Sequence, residues 1–266
     1  MSGDLLAAVV AAARRSADER ARLTSREALD RLMARRPPAG EAFRNSLGRP
    51  GVRIIAECKR RSPSRGILRA EYDPVAIARS YAAAGAAAIS VLTEPTFFDG
   101  SLDHLRAIRA AVTVPLLRKD FIVTDYQVVE AAAAGADAVL LIVAALDGAA
   151  LARLIALARS IGLAALVEVH DGSELAQATD AGADVVGVNS RNLRTLQVDR
   201  SVLDELASAL APGAIAVAES GLKTAEDLRR LAARRYDAFL IGERFMTEPD
   251  PGAALARLRA DVEATV

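Results

Sequence analysis

With 266 residues, 52% of them apolar, the chain has the length of one α/β barrel rather than of a string of small modules. Its 34 basic side chains balance 34 acidic ones, which leaves no global field to favour DNA, RNA or an anionic membrane and points to a small-molecule partner. The lone Cys58 cannot close an internal disulfide, and no apolar run approaches the roughly 18 residues of a membrane span, so a cytoplasmic setting without a membrane partner is expected.

The apolar stretch Leu5 to Ala13 follows Asp4 and precedes Arg14 and Arg15, the reverse of signal-peptide charge order, and reads as helix. Thr24, with Glu27 three residues on, has capping-box form ahead of an amphipathic stretch to Arg36, where Pro37 and Pro38 end the helix. A first strand is predicted over Val52 to Cys58. The loop Arg60 to Gly66 behind it carries hydroxyls, arginines and a hinge-capable glycine, the composition of a mobile lid.

Further strands are predicted at Ala88 to Leu92, Val114 to Lys119, Ala138 to Ile142, Ala164 to Val169, Val185 to Val188, Ala214 to Glu219 and Ala238 to Ile241. The even-numbered ones form an internal repeat. Ala83-Ala84-Gly85-Ala86, Ala134-Gly135-Ala136-Asp137, Ala181-Gly182-Ala183-Asp184 and Arg234-Arg235-Tyr236-Asp237 each lead into a short apolar run. A glycine closing a helix before apolar residues that do not alternate marks a strand buried on both faces; the fourth copy lacks it. The copies recur about every fifty residues, with one odd strand between each pair. Strict alternation predicts an α/β fold, either a closed TIM (β/α)8 barrel or an open doubly wound sheet. The repeat and the absence of a G-x-G-x-x-G loop favour the barrel. One domain over residues 1–266 is expected, with an N-terminal helical extension at 1–50 and the barrel at 51–266. The extension is equally suited to covering the barrel bottom or edging the active site.

Barrel sites lie where strands end. The odd strands end in Glu57-Cys58-Lys59, Arg118-Lys119, Glu168 and Glu219-Ser220. Alternation puts Glu57 and Lys59 on one face and Cys58 on the other, so Glu57, Lys59, Lys119, Glu168 and Glu219 are expected to meet inside the barrel mouth. Three carboxylates facing two ammoniums shift one another's pKa, as general acid–base work requires. A buried ion-pair cluster without chemistry is the alternative. Only three of the 34 basic residues are lysines, Lys59, Lys119 and Lys223, and two of them fall at strand ends, where a cation able to give up a proton matters. Lys223 reads as solvated, His104 as a surface residue, and His170 as a loop residue, since no metal-ligand spacing accompanies it. Ser220-Gly221 and Gly242-Glu243 follow the seventh and eighth strands, where many barrels hold a phosphate. Phe97, Phe98 and Phe121 are candidates to hold a planar aromatic ligand, or are ordinary core.

The runs Ile55-Ala56-Glu57-Cys58-Lys59-Arg60 with Ser62-Pro63-Ser64, Leu92-Thr93-Glu94, Leu117-Arg118-Lys119-Asp120-Phe121, Val167-Glu168-Val169, Gly187-Val188-Asn189-Ser190-Arg191, Ala218-Glu219-Ser220-Gly221 and Ile241-Gly242 together resemble the indole-3-glycerol-phosphate synthase family from the first strand to the eighth. The resemblance implies a lyase of tryptophan biosynthesis that cyclises 1-(2-carboxyphenylamino)-1-deoxyribulose 5-phosphate with loss of carbon dioxide and water, with no cofactor or metal. It implies Lys119 as general acid, Glu168 as its acid–base partner, Lys59 on the substrate carboxylate or as acid in dehydration, Glu57 and Glu219 orienting the lysines, and Asn189 on the substrate. Ser62, Gly221, Gly242 and Glu243 would bind the phosphate end, Arg191 and Ser220 would also bind the substrate, and Phe98 and Phe121 line the anthranilate pocket. A monomer or weak homo-oligomer is expected. The rivals are a barrel like phosphoribosylanthranilate isomerase, which uses a strand-one Cys and a strand-six Asp where this chain has an outward Cys58 and Asn189, and a catalytically silent binding barrel.

Overall fold

Eight parallel strands close on themselves in chain order: β1 (Arg53–Cys58), β2 (Ala88–Leu92), β3 (Leu116–Lys119), β4 (Ala138–Ile142), β5 (Ala164–Val169), β6 (Val185–Asn189), β7 (Ile215–Glu219) and β8 (Ala238–Ile241), which pairs with β1. This computed structural model describes residues 5–264, so the first four and last two residues of the expected 1–266 span, Asp4 among them, lie outside it. The fold is the TIM barrel that the strand–helix alternation predicts. Three odd strands begin later than the apolar pattern suggests. Pro115, without an N–H, delays β3 to Leu116, while Gly51 and Gly213, at φ 91° and 89°, still turn the chain just before β1 and β7.

Strand parity sorts the core into two layers. Ile55, Leu117, Leu166 and Val217 of the odd strands meet Ala88, Leu140, Val185 and Leu240 of the even ones inside the barrel. Ile54, Ala56 and Cys58 point the other way, under the helices. Cys58 is therefore outside the barrel, as its neighbours' alternation requires. The fourth copy of the repeat keeps the turn of the others without their glycine: Arg235 has φ 112° where Gly85, Gly135 and Gly182 have φ 79°, 95° and 79°. The left-handed backbone costs a non-glycine residue about 1–2 kcal/mol. The Arg235 guanidinium offsets this by donating to the carbonyls of Ala211 at 3.1 Å and Ala214 at 2.9 Å.

The extension comprises α1 (Leu5–Leu23), α2 (Arg26–Arg35) and α3 (Gly40–Leu47). Thr24 does not cap α2. Its N–H donates to Arg20 O and finishes α1, while the Ser25 hydroxyl accepts from Ala28 N at 3.3 Å and starts α2. The chain-end bond claims Thr24 first, which sequence spacing does not reveal. α3 plugs the barrel bottom with Phe43 and Leu47, both fully buried against Ile55 and Leu117. It approaches so closely that a Cβ on Gly40 would lie 2.4 Å from Ala164 N. Asp137, at the foot of β4, accepts from Ala39 N, Leu116 N, Arg36 and Arg109 and so ties the extension to the strands. α1 runs along the wall and meets the turn Val143–Ala145 beyond β4.

A buried charge chain links α1 to the end of β3. Arg118, 1% exposed, pairs with Asp120 at 2.8 Å and Glu130 at 3.0 Å, and Glu130 also takes Arg20 of α1 at 2.6 Å. Removing one member of such a network leaves buried charge uncompensated. Glu130→Ala is expected to lower unfolding stability by about 3–5 kcal/mol in urea titration, and a loss within about 0.5 kcal/mol would show the chain to be dispensable. Among the described residues no helix is long and apolar enough to cross a membrane.

Candidate active site

The parity that fills the barrel with apolar side chains lower down delivers charge at its mouth. Glu57, Glu168 and Glu219 are 3%, 0% and 1% exposed, one layer above Ile55, Leu166 and Val217. Lys119 Nζ lies 3.1 Å from Glu168 Oε2 and 3.7 Å from Glu219 Oε2, and Lys59 Nζ lies 2.6 Å from Glu57 Oε1. The even strands make room for this. Gly187 of β6 sits beside β5 and β7 so that an added Cβ would meet Glu219 Oε1 at 2.2 Å, and one on Gly242, just past β8, would meet Glu57 Oε1 at 2.3 Å. The two glycines are notches for two carboxylates. Gly187→Ala is expected to cut kcat about tenfold to a hundredfold with the melting temperature nearly unchanged, because a displacement near 1 Å at a reacting group costs that much. Unchanged kcat would remove Glu219's position from the account.

Burial disfavours the Lys119 ammonium, but Glu168, Glu219 and Glu57 outweigh it and hold the amine above its ordinary value. Burial likewise favours a protonated Glu168, yet Lys119, His170 and Asn189 pull its carboxyl well below the usual range. Glu219 shifts the opposite way, since burial and then the adjacent Glu168 charge raise it. Two neighbouring carboxyl groups are thus driven apart, one ionised and one protonated near neutrality, beside a fully charged lysine. That is the division of labour of an acid–base site.

Above the charges opens a cleft of about 640 Å³, and the catalytic candidates Glu57, Lys59, Lys119, Glu168, Asn189 and Glu219 all line it. So do Ser62, Phe98, Phe121, Arg191, Ser220, Gly221, Gly242 and Glu243. The loop after β1 folds back as a small antiparallel hairpin, Arg61–Ser62 against Gly66–Ile67, with Ser62 buried and Arg65 3.4 Å from Glu243. Glu243 also lies 3.8 Å from Arg191, so its side chain is spent on arginines. Ser220 and Gly221 take consecutive positive φ values, 66° and 68°. A non-glycine residue held there stores strain of about 1–3 kcal/mol, a common feature of functional turns.

Sequence reasoning quotes Glu94 within a motif but gives it no role. It caps the short helix Pro95–Phe98, accepting from the N–H groups of Thr96, Phe97 and Phe98, and thereby holds the Phe98 backbone beside the cleft that Phe98 lines. The signal was a carboxylate directly before Pro95 at a helix start. Phe97 is half-buried outside the cleft lining. Lys223 is exposed at the rim, as expected. His104 is only partly at the surface. It is half-buried edge-on to Tyr72, with ring centroids 5.5 Å apart.

His170 is not merely a loop residue either. Its ring lies behind Glu168, outside the cleft lining, with Nε2 3.4 Å from Glu168 Oε1 and Nδ1 3.0 Å from Glu174 Oε2. Glu174 stands three residues after the helix N-cap Asp171, a spacing that turns a carboxylate back over the preceding chain and that the sequence does display. Burial opposes charge on the ring, but the two glutamates outweigh it and raise His170 to about 10 from 6.5. A raised pKa stabilises the fold fully below the unfolded value and loses that effect as pH climbs through the folded one. The melting-temperature deficit of His170→Gln is therefore expected to be largest below about pH 6.5 and to close toward pH 10. A deficit independent of pH would mean that the ring carries no charge.

A closed barrel with a lysine and oppositely poised carboxyl groups at its mouth defines a TIM-barrel acid–base enzyme. A sequence profile described as indole-3-glycerol phosphate synthase matches residues 6–258. Indole-3-glycerol phosphate synthase 2 of Streptomyces coelicolor is 48% identical over 258 residues, 97% of this chain and 99% of that protein. Indole-3-glycerol phosphate synthase of a Parafrankia species is 52% identical over 90% of this chain and 89% of that one. Among solved structures, a thiamine phosphate pyrophosphorylase from Pyrococcus furiosus superposes with a TM-score of 0.62 at 20% identity, covering 84% of this chain and 98% of that one, a likeness of fold. The chain belongs to the indole-3-glycerol phosphate synthase family, carboxy-lyases of tryptophan biosynthesis that act on a phosphorylated small molecule.

Proposed function

We propose that this chain closes the indole ring of 1-(2-carboxyphenylamino)-1-deoxyribulose 5-phosphate, and that the fourteen cleft residues named above perform the step. The observation that carries the assignment is Lys119, held charged 3.1 Å from an ionised Glu168 on the floor of the cleft. In this reading Lys119 protonates the ribulose carbonyl oxygen while the ring carbon bearing the carboxylate attacks the carbonyl carbon, and loss of carbon dioxide restores the aromatic ring. Lys59, paired to Glu57, binds the substrate carboxylate or protonates the departing hydroxyl. Glu168 takes the carbon-bound proton that leaves as the indole forms.

Phe98 and Phe121 flank the anthranilate ring; Gln127 fixes the latter by donating to its carbonyl at 2.9 Å. Ser62, Arg191 and the backbone of Ser220, Gly221, Gly242 and Glu243 receive the phosphate. Asn189, whose Oδ1 already accepts from Arg191 N at 2.9 Å, offers its amide to Glu168 and to the substrate. We read the extension and barrel as one domain, because α3 shares the barrel's interior core. A cytoplasmic monomer or weak homo-oligomer without nucleic-acid partners fits the balanced charge.

The test offers the purified protein two substrates, the carboxyphenylamino-deoxyribulose phosphate labelled in its carboxylate and phosphoribosylanthranilate. Labelled carbon dioxide equal to the indole product, with the second compound untouched, is expected. Isomerisation of phosphoribosylanthranilate, or binding without release of label, would contradict the assignment.

A further inference from the structure

Ring closure on an ionised carboxylate consumes one proton from solvent. Two protons go to the substrate, one to the carbonyl oxygen and one to the hydroxyl that leaves as water, while one comes off the carbon that becomes part of the five-membered ring; carbon dioxide carries none away. With Lys59 holding the substrate carboxylate, the Lys119 ammonium supplies the first, and the proton that Glu168 takes from carbon passes on to the departing hydroxyl as the second. Lys119, 3.1 Å from Glu168, is then left a proton short each time. With substrate or product over the mouth, a second entrance lets refilling proceed without waiting for release.

We propose that His170 is that entrance, passing a solvent proton through Glu168 to Lys119 once per turnover; the inference rests on the acid–base reading of Lys119 and Glu168 above. The groups form a continuous line from cleft to surface. Lys119 lies 3.1 Å from Glu168, Glu168 3.4 Å from His170 and His170 3.0 Å from Glu174. Side-chain exposure grows along that line, from 0% at Glu168 to 12% at His170 and 18% at Glu174. His170 stays outside the cleft lining, so bound substrate does not block it.

The joint between the two central groups is loose. Glu168 Oε1 and His170 Nε2 are buried and paired as ions at 3.4 Å, but neither makes a well-directed hydrogen bond, and Glu219 Oε1 nearby is also without one. A small turn of either side chain makes the Glu168–His170 hydrogen bond, and natural proteins seldom bury two complementary polar atoms face to face without one. The other charged groups around the line are Glu219, which bears on Glu168 and Lys119, Glu57, which bears on Lys119, and Asp171, which bears on His170. In the transfer the His170 Nε2–H bond breaks as the Glu168 Oε1–H bond forms. The carboxyl then gives the proton to the neutral Lys119 amine, and the imidazole, left with its proton on Nδ1, turns over so that its bare nitrogen is recharged by water at the Glu174 side. His170 touches no reacting atom and acts only through Glu168.

The experiment compares single and repeated turnovers, by stopped-flow indole fluorescence, for wild type and His170→Ala, with and without added imidazole. The first turnover draws on the proton already stored on Lys119, so it is expected within about twofold of wild type, whereas later turnovers slow about tenfold or more, the lower range of proton-transfer effects. Imidazole is expected to restore the later turnovers of the variant and to leave wild type unchanged. Equal slowing of first and later turnovers without rescue, or no slowing at all, overturns the relay. A silent wild type would instead overturn the ring-closure reading on which it rests. His170→Gln, which keeps a polar group between the glutamates, gives the same comparison of first and later turnovers should the alanine variant fail to fold.

Discussion

Lys119→Arg is expected to lower kcat at least about a hundredfold, the loss that follows removal of a general acid. The substitution keeps the positive charge, and the neighbouring carboxylates Glu168 at 3.1 Å and Glu219 at 3.7 Å remain to pair with it. What it removes is a proton that can leave, because a guanidinium does not deprotonate in proteins. Steady-state kinetics with circular dichroism on the same samples separates chemistry from folding. Near-normal turnover in a folded variant would sink Lys119 as the acid.

Glu168→Gln carries the second large effect, a kcat loss of about a hundredfold to ten-thousandfold. The amide preserves shape and can still meet Lys119 and Asn189, but it cannot accept the proton. Glu219→Gln is the matched control. Burial and the Glu168 charge already hold the Glu219 carboxyl toward its neutral form, so its amide resembles the resting state and should cost far less near neutral pH. Glu168→Gln also takes away the strongest anion facing Lys119, which brings the lysine back down toward its ordinary value. If the two variants lose activity equally, the opposed protonation states of the pair are wrong.

The strand ends were legible because a barrel strand alternates. Once Ile55 is inside, Glu57 and Lys59 follow it and Cys58 cannot, and the same parity places Lys119, Glu168 and Glu219. Four of the eight strands announced themselves through a repeat whose glycine has a physical task, a left-handed turn, and the fourth copy shows that Arg235 can stand in where its side chain finds carbonyls. Pairings between distant segments were not legible. Arg20 and Glu130 are 110 positions apart, and nothing local in either marks the contact that anchors α1 to the end of β3. His170 is the loop residue the sequence suggests, but its bridge was not legible: its value lies in standing between Glu168 two residues before and Glu174 four after. That bridge exists only because the helix beginning at Gly172 turns Glu174 back toward the strand end. The notches at Gly187 and Gly242 were invisible too, since a glycine in a strand shows that space is needed but not for which side chain.

The most direct test of the central claim is a crystal structure with the substrate analogue whose ribulose ketone is reduced to an alcohol, which binds but cannot cyclise. The alcohol oxygen is expected within hydrogen-bonding distance of Lys119 Nζ, with the aromatic ring between Phe98 and Phe121 and the phosphate at the backbone of Gly221 and Gly242. An analogue lying with its alcohol away from Lys119, or with its phosphate at the Phe98 end of the cleft, would contradict the account.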